Sequence, residues 1–212
     1  MNAATERAEL VAAGAHLAAR GLAPGTSGNL SLRLANGTYL MTPTNASLWS
    51  LDASRLSRID ENGTPLDGDR PTKEAALHLA MYAARPEAMA VVHLHAPYSV
   101  ALACLVHDDP NDTLPKLTPY AVMRVGALPL IPYAPPGDPQ LADAVSVQAR
   151  RHHAVLLANH GPVVAGTSLA SAIATAEELE EAARLSFVLR GLPTRPLDAD
   201  QVAHLRAAHA LR

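Results

Sequence analysis

The chain has 212 residues, with 17 Lys and Arg against 20 Asp and Glu and a formal net charge of −3. That length is a prior for one domain, 1–212, and the lack of clustered Lys and Arg excludes a nucleic-acid footprint. No basic segment followed by an apolar one opens the chain, and no apolar run approaches a membrane span. The expectation is a cytoplasmic protein with no membrane partner.

Residues 6–20 predict a helix, with Leu10, Gly14, Leu17 and Gly21 on one face and Gly21 as its C-cap. A loop rich in Gly and hydroxyls follows, Gly25-Thr26-Ser27-Gly28-Asn29. Leu30, Leu32 and Leu34 then alternate with Ser31 and Arg33, the pattern of a half-buried strand. Asn36-Gly37 predicts a hairpin turn, returning the chain through Thr38 to Met41. A second polar loop, Thr42-Pro43-Thr44-Asn45, leads to a strand over 56–60 and a turn at Asn62-Gly63. Arg70-Pro71-Thr72-Lys73-Glu74 opens a helix to about Arg85, with Leu77, Ala80, Met81 and Ala84 as its apolar stripe and Pro86 as its stop.

Ala90 to His95 reads as a buried strand and 97–106 as a short helix. The lone cysteine, Cys104, sits in the apolar run 100–106 and is expected to be a buried small hydrophobe. Residues 107–119 hold three prolines and read as a surface loop. Short strands are expected over 121–125 and 128–133, about a turn at Gly126. A rigid connector, 135–139, precedes a helix over 140–150, and Ala154 to Ala158 is a strand ending at Asn159-His160-Gly161-Pro162. Ser168 N-caps a long helix to about Arg190, with Glu177, Glu178, Glu180 and Glu181 on its outer face. A last helix runs from Asp198 to the C-terminus. The pattern is that of a single α/β domain with a mostly antiparallel central sheet flanked by helices.

Within Val91-Val92-His93-Leu94-His95, residues two apart point to the same side of a strand, so His93 and His95 present two imidazoles together. A catalytic zinc site needs about three protein ligands and an open position. His160, at a strand end before a sharp turn, is the candidate third imidazole, and Glu74 is a candidate carboxylate. Each has a plainer reading. The strand pair could be core histidines satisfied by hydrogen bonds. Glu74 could simply complement a helix dipole. His78, one turn beyond Glu74, could share a metal but is read as packing. His16, His107, His152, His153, His204 and His209 have no partners in sequence and are read as ordinary surface or core residues. The two polar loops offer hydroxyls and unshielded N–H groups suited to a phosphate, and Thr72-Lys73 adds a helix start and a cation. Plain turns are the alternative, because Gly, Ser, Asn and Pro populate turns anyway.

The order Gly-Thr-Ser-Gly-Asn-Leu-Ser (25–31), Thr-Pro-Thr (42–44), Pro-Thr-Lys-Glu (71–74), Val-Val-His-Leu-His (91–95) and Asn-His-Gly (159–161) resembles the class II aldolase/adducin family, to about residue 190. The resemblance implies that His93, His95 and His160 bind a divalent metal, usually zinc, with manganese or cobalt as substitutes. It implies that Glu74 is the acid/base and also touches the metal when substrate is absent. It places a substrate phosphate against Ser27, Gly28, Asn29, Thr44, Asn45 and Thr72. Lys73 stands where the aldolases have a second serine, either as a phosphate cation or as a carboxylate binder. The resemblance further implies a fourfold homotetramer with sites between subunits, and Tyr120 acting near a neighbour's metal. Pro-Thr-Lys-Glu and the run 117–139 look most like the branch that decarboxylates 3-oxo-tetronate 4-phosphates, giving dihydroxyacetone phosphate through a metal-stabilised enediolate. A sugar-phosphate aldolase, a pentulose-phosphate 4-epimerase and a non-catalytic adducin-like interaction module are the other outcomes of the same resemblance.

Overall fold

Residues 3–208 are described by the structure, a computed structural model. In chain order they form α1 (Ala4–Ala19), β1 (Asn29–Arg33), β2 (Tyr39–Met41), β3 (Ser57–Ile59), β4 (Pro65–Asp67), α2 (Ala75–Ala84) and β5 (Ala90–His93). Then come α3 (Pro97–Ala103), β6 (Leu130–Ile131), α4 (Pro139–Ala149), β7 (Ala154–Leu157), β8 (Gly161–Gly166), α5 (Leu169–Val188) and α6 (Ala199–Ala208). The strands make one eight-stranded sheet in the order β4-β3-β2-β1-β5-β8-β7-β6. Every neighbouring pair is antiparallel except β6 with β7, so the expected fold class holds. Among the described residues no helix is long and apolar enough to cross a membrane.

The sheet is covered on both faces, and side-chain parity decides which layer each residue joins. Leu30, Leu32, Val92, Leu94, Leu156 and Val164 pack with Leu10 and Leu17 of α1 and Leu179 of α5. Val91, Val155 and Val163 pack on the opposite face with Leu77 and Met81 of α2 and Leu141 and Val145 of α4. β1 is therefore not half-exposed as its alternation suggested. Ser31 is fully buried, under α2.

Several local expectations are corrected. Residues 121–125 form a π-helical turn, not a strand. Ala121, Val122 and Val125 are its buried positions, a helical spacing rather than an alternation, and Gly126 at φ 74° ends it. The following strand is confined to Leu130–Ile131. The helix expected from residue 70 begins only at Ala75, because Thr44 and Thr72 are held in backbone bonds to Arg70 and Thr42. The turn 158–160 is followed by a strand that the sequence did not suggest, β8. Cys104 is exposed rather than buried. It caps the C-terminus of α3, whose inward positions Leu102 and Ala103 already fill the layer. The helix after Asp198 is described to Ala208, so its expected run to the C-terminus and the reading of His209 lie outside the described residues.

Glu180 does not face outward. It is buried on α5, where Oε1 accepts from the Tyr98 N–H at 2.8 Å and Oε2 from the Ser99 N–H at 2.7 Å and the Ser99 hydroxyl at 2.6 Å. The free N–H groups of a helix start favour a carboxylate there. This bond set pins the chain a few residues after His95. Replacing Glu180 by Ala leaves three donors unpaired, the two of Ser99 buried. We predict a loss of about 1–3 kcal/mol in urea unfolding, with Glu181→Ala, on the exposed side of the same turn, leaving the midpoint unchanged.

Candidate active site

The register of the central ladder assembles the site. Asn29 of β1 stands opposite His93 of β5, and His93 stands opposite Val163 of β8. His93 has the parity of Val91, so its ring points to the α2 face, where Glu74 sits as the N-cap of α2. His95 lies two residues on, past the end of the strand. His160 comes from the tight β7–β8 turn, in which Asn159 takes φ 58°, a left-handed conformation that Asn tolerates. Gly161 then passes so close to β5 that a Cβ would lie 2.3 Å from the Leu94 carbonyl oxygen, at φ 146°. Gly28 crowds the other side of the same strand, with a Cβ position 3.0 Å from the His93 carbonyl oxygen and φ 76°. These two glycines let the loops carrying the site close on β5.

Four expected residues come together. His93 Nε2 is 3.2 Å from His95 Nε2, 3.3 Å from His160 Nε2 and 3.3 Å from Glu74 Oε2. Glu74 Oε1 is 3.3 Å from His160 Nε2. The ligand atoms of all four lie within 4.8 Å of one another, with the three rings edge-on to each other. His93 Nδ1 faces the Pro162 carbonyl at 2.9 Å. A carbonyl only accepts, so Nδ1 carries the proton and Nε2 points its lone pair into the cluster. Burial pulls the pKa values of His93 and His95 below the ordinary imidazole range. Burial, reinforced by the neighbouring His93, brings His160 to about 4. The Glu74 carboxyl lies below its ordinary range, because the His93 ring and the Asn29 N–H outweigh the opposing effect of burial.

Neutral imidazoles with converging lone pairs repel one another unless something positive lies between them. Glu74 Oε1 is buried and has no hydrogen-bond partner among the described residues. Both features fit a divalent cation, which three imidazole nitrogens and a carboxylate oxygen suit chemically.

The remaining candidates are placed differently. Thr44 and Asn45 line a cavity of about 350 Å³ together with Thr26, Ser47 and Arg55. The Ser27 hydroxyl donates to the Pro24 carbonyl of its own loop. Thr72 Oγ1 accepts from the Glu74 N–H. The Asn29 side chain is buried and donates to Glu74 Oε2 at 2.8 Å. Lys73 is exposed, and Gly137 packs on its backbone, a Cβ there lying 3.4 Å from the Lys73 carbonyl oxygen. Tyr120 is exposed at the start of the π-helical turn, beneath the Arg124 guanidinium, and is not part of the four-residue cluster. His78, read from sequence as packing, is fully buried and bonds to Asn29. Only its place one turn beyond Glu74 marked it in the sequence; the continuation of that spacing to Tyr82 is the further signal that could have pointed to a buried polar face.

A pH dependence follows. Burial holds His78 at about 3 and His160 at about 4, against 6.5 for an unburied imidazole. Below 6.5 the unfolded chain takes up protons that the folded chain refuses, so stability is full above that pH and is lost as pH falls towards 4. With EDTA present, the melting midpoint should be flat above about 6.5 and fall steadily below it. A flat profile through that window would contradict neutral, buried rings.

Comparison with known proteins gives the family and the fold. The family model described as the class II aldolase and adducin N-terminal domain matches residues 8–187. A protein of Pectobacterium atrosepticum named 3-oxo-tetronate 4-phosphate decarboxylase is 49% identical, over 94% of this chain and 91% of its own length. An L-fuculose phosphate aldolase of Escherichia coli is 35% identical, over 86% of this chain and 84% of its own. The crystal structure of YgbL from Klebsiella pneumoniae superposes with a TM-score of 0.94 at 48% identity, covering 97% of this chain and 100% of that one. The chain belongs to the class II aldolase and adducin family.

Proposed function

We propose that this chain is a metal-dependent carbon–carbon lyase that converts a 3-oxo-tetronate 4-phosphate to dihydroxyacetone phosphate and carbon dioxide. The observation that carries the reading is the convergence of three imidazole nitrogens and the Glu74 carboxylate, with Oε1 left without a hydrogen-bond partner among the described residues. The choice of decarboxylation is supported by the 49% identical relative of that name, against 35% for the aldolase. His93, His95 and His160 would hold the cation, with Glu74 as a further ligand before substrate arrives. Zinc is the first candidate and manganese or cobalt the substitutes. When bound, the cation supplies Lewis-acid stabilisation of the charge that develops on the substrate's ketone oxygen.

The chain's own residues supply the rest. Ser27, Gly28, Asn29, Thr44, Asn45 and Thr72 seat the phosphate. Lys73 lies next to Glu74 and attracts the second anionic group, the carboxylate. The Asn29 N–H occupies Glu74 Oε2, so the proton that Glu74 delivers sits on Oε1. Glu74 first takes up a proton from solvent and, as the bond to the departing carboxylate breaks, gives it to the carbon left behind. Tyr120, exposed in a single copy, would act at a neighbouring subunit's site in a homotetramer.

Metal content and turnover test this together. Purified protein should carry one divalent metal per chain, and His93→Ala should lose it. Glu74→Gln should keep the metal and the melting temperature but lose turnover by a factor on the order of 10² or more. Equal metal in the parent and His93→Ala would remove the site, and unchanged turnover in Glu74→Gln would remove its catalytic role.

A substrate screen separates the chemistries. We expect D- or L-3-oxo-tetronate 4-phosphate to release carbon dioxide, and fuculose or rhamnulose 1-phosphate to be cleaved slowly or not at all. A higher kcat/KM on a ketose 1-phosphate would make the chain an aldolase instead.

A further inference from the structure

Behind Glu74 and Asn29 lie three buried polar side chains that the reaction does not itself use, Ser31, His78 and Tyr82. Asn29 and Ser31 share one face of β1, and Glu74, His78 and Tyr82 share one face at the start and along α2. The contacts run in a single file. Glu74 Oε2 meets Asn29 Nδ2 at 2.8 Å, and Asn29 Oδ1 meets His78 Nε2 at 2.5 Å. His78 Nδ1 meets the Ser31 hydroxyl at 2.7 Å, which meets the Tyr82 hydroxyl at 2.9 Å. His78 and Ser31 are fully buried and Tyr82 is nearly so.

The direction of every bond in this file is fixed from one end. A carboxylate only accepts, so Asn29 turns its NH2 towards Glu74 and its carbonyl oxygen towards His78. That oxygen only accepts, so His78 carries its proton on Nε2. A neutral ring has one N–H, so Nδ1 accepts, Ser31 donates to it, and Tyr82 donates to Ser31. Burial keeps the ring neutral and raises the Tyr82 phenol, so the terminal donor keeps its proton. Reversing any one bond places two acceptors or two donors face to face in a dry layer, which is costly.

We propose that Tyr82, Ser31 and His78 are positioning residues, a one-way hydrogen-bond chain that holds the Asn29 amide with its N–H on Glu74 Oε2 and leaves Oε1 free to carry the proton. Ser31, His78 and Tyr82 are not among the residues that seat the phosphate, and their side chains bond to those residues only through Asn29, so replacing them bears on proton delivery before substrate binding. The kinetic side of this inference rests on the reading of Glu74 as the proton donor. The structural side does not.

Two measurements test it. NMR of the ¹⁵N-histidine-labelled protein at about pH 7 should show His78 as the tautomer protonated at Nε2 with Nδ1 accepting. A ring protonated at Nδ1 overturns the proposal whether or not any substrate is turned over. In steady-state kinetics, His78→Leu should lower kcat about tenfold or more with KM within about threefold, because the Asn29 carbonyl loses its donor. His78→Gln can donate to Asn29 and accept from Ser31, and should restore most of kcat. Tyr82→Phe, which removes only the terminal donor, should lower kcat by less and serves as the second variant if His78→Leu does not fold. Parental kcat in both folded variants, or a Gln variant no better than Leu, overturns the positioning role.

Discussion

The pairing of β5 with β1 on one side and β8 on the other is the constraint on which the site depends. It puts Asn29, His93 and the β7–β8 turn at one end of one ladder. Parity then sends His93 to the α2 layer, where Glu74 is already held by the start of its helix. The approach of Gly161 to the Leu94 carbonyl brings the turn carrying His160 within reach of His93 of β5 and of His95 just beyond it. A side chain at residue 161 would push that turn away, and a one-residue slip of β5 would turn His93 into the α1–α5 layer. The cluster is therefore a consequence of backbone register before it is a matter of side-chain chemistry.

The same constraint has an electrostatic side. Three rings and a carboxylate are held at 3.2–3.3 Å in a largely dry place. Dry surroundings keep the rings neutral, which a metal ligand requires, and they strengthen whatever charge interaction is made there. The cost is an arrangement with an orphan carboxylate oxygen and mutually repelling lone pairs, tolerated because the surrounding sheet over-determines it. Glu180 extends the same scaffold. By capping the start of α3, it fixes where the chain goes immediately after His95.

What the sequence made legible was what local periodicity encodes. The His-x-His strand places its rings by alternation alone, and His160 stood out because a strand ended beside it. The sheet's antiparallel character followed from Asn36-Gly37 and the short apolar runs around it. What local pattern does not encode was missed. Gly161-Pro162 looks like a stop, yet Pro162 lies at the start of β8, where its carbonyl accepts from His93 Nδ1 and from the Leu94 N–H. Glu180 looks like one more exposed acid on a long helix, because its partners are 81 and 82 residues away in the chain. Residues 121–125 carry β-branched side chains, but α5 rewards their helical spacing instead. His78 was visible as a residue and not as a role, since that depends on β1 lying beneath α2.

Substrate choice, on the proposed reading, has to be decided outside the four-residue cluster. Decarboxylation and aldol cleavage both push charge onto a ketone oxygen, so the same ligands and the same Glu74 serve either. They differ in what leaves, a small neutral gas or an aldehyde that needs room. Lys73 is one residue from Glu74 and exposed, with the loop at Gly137 packed on its backbone. An exposed ammonium attracts a carboxylate only weakly. Weak attraction is what a decarboxylase needs, because a carboxylate held firmly in the ground state loses that stabilisation as its charge moves to the ketone. A buried arginine at residue 73 would bind the substrate better and turn it over more slowly. On the proposed reading, Lys73 and the 135–139 loop form the edge where a leaving carboxylate would be steered without being retained.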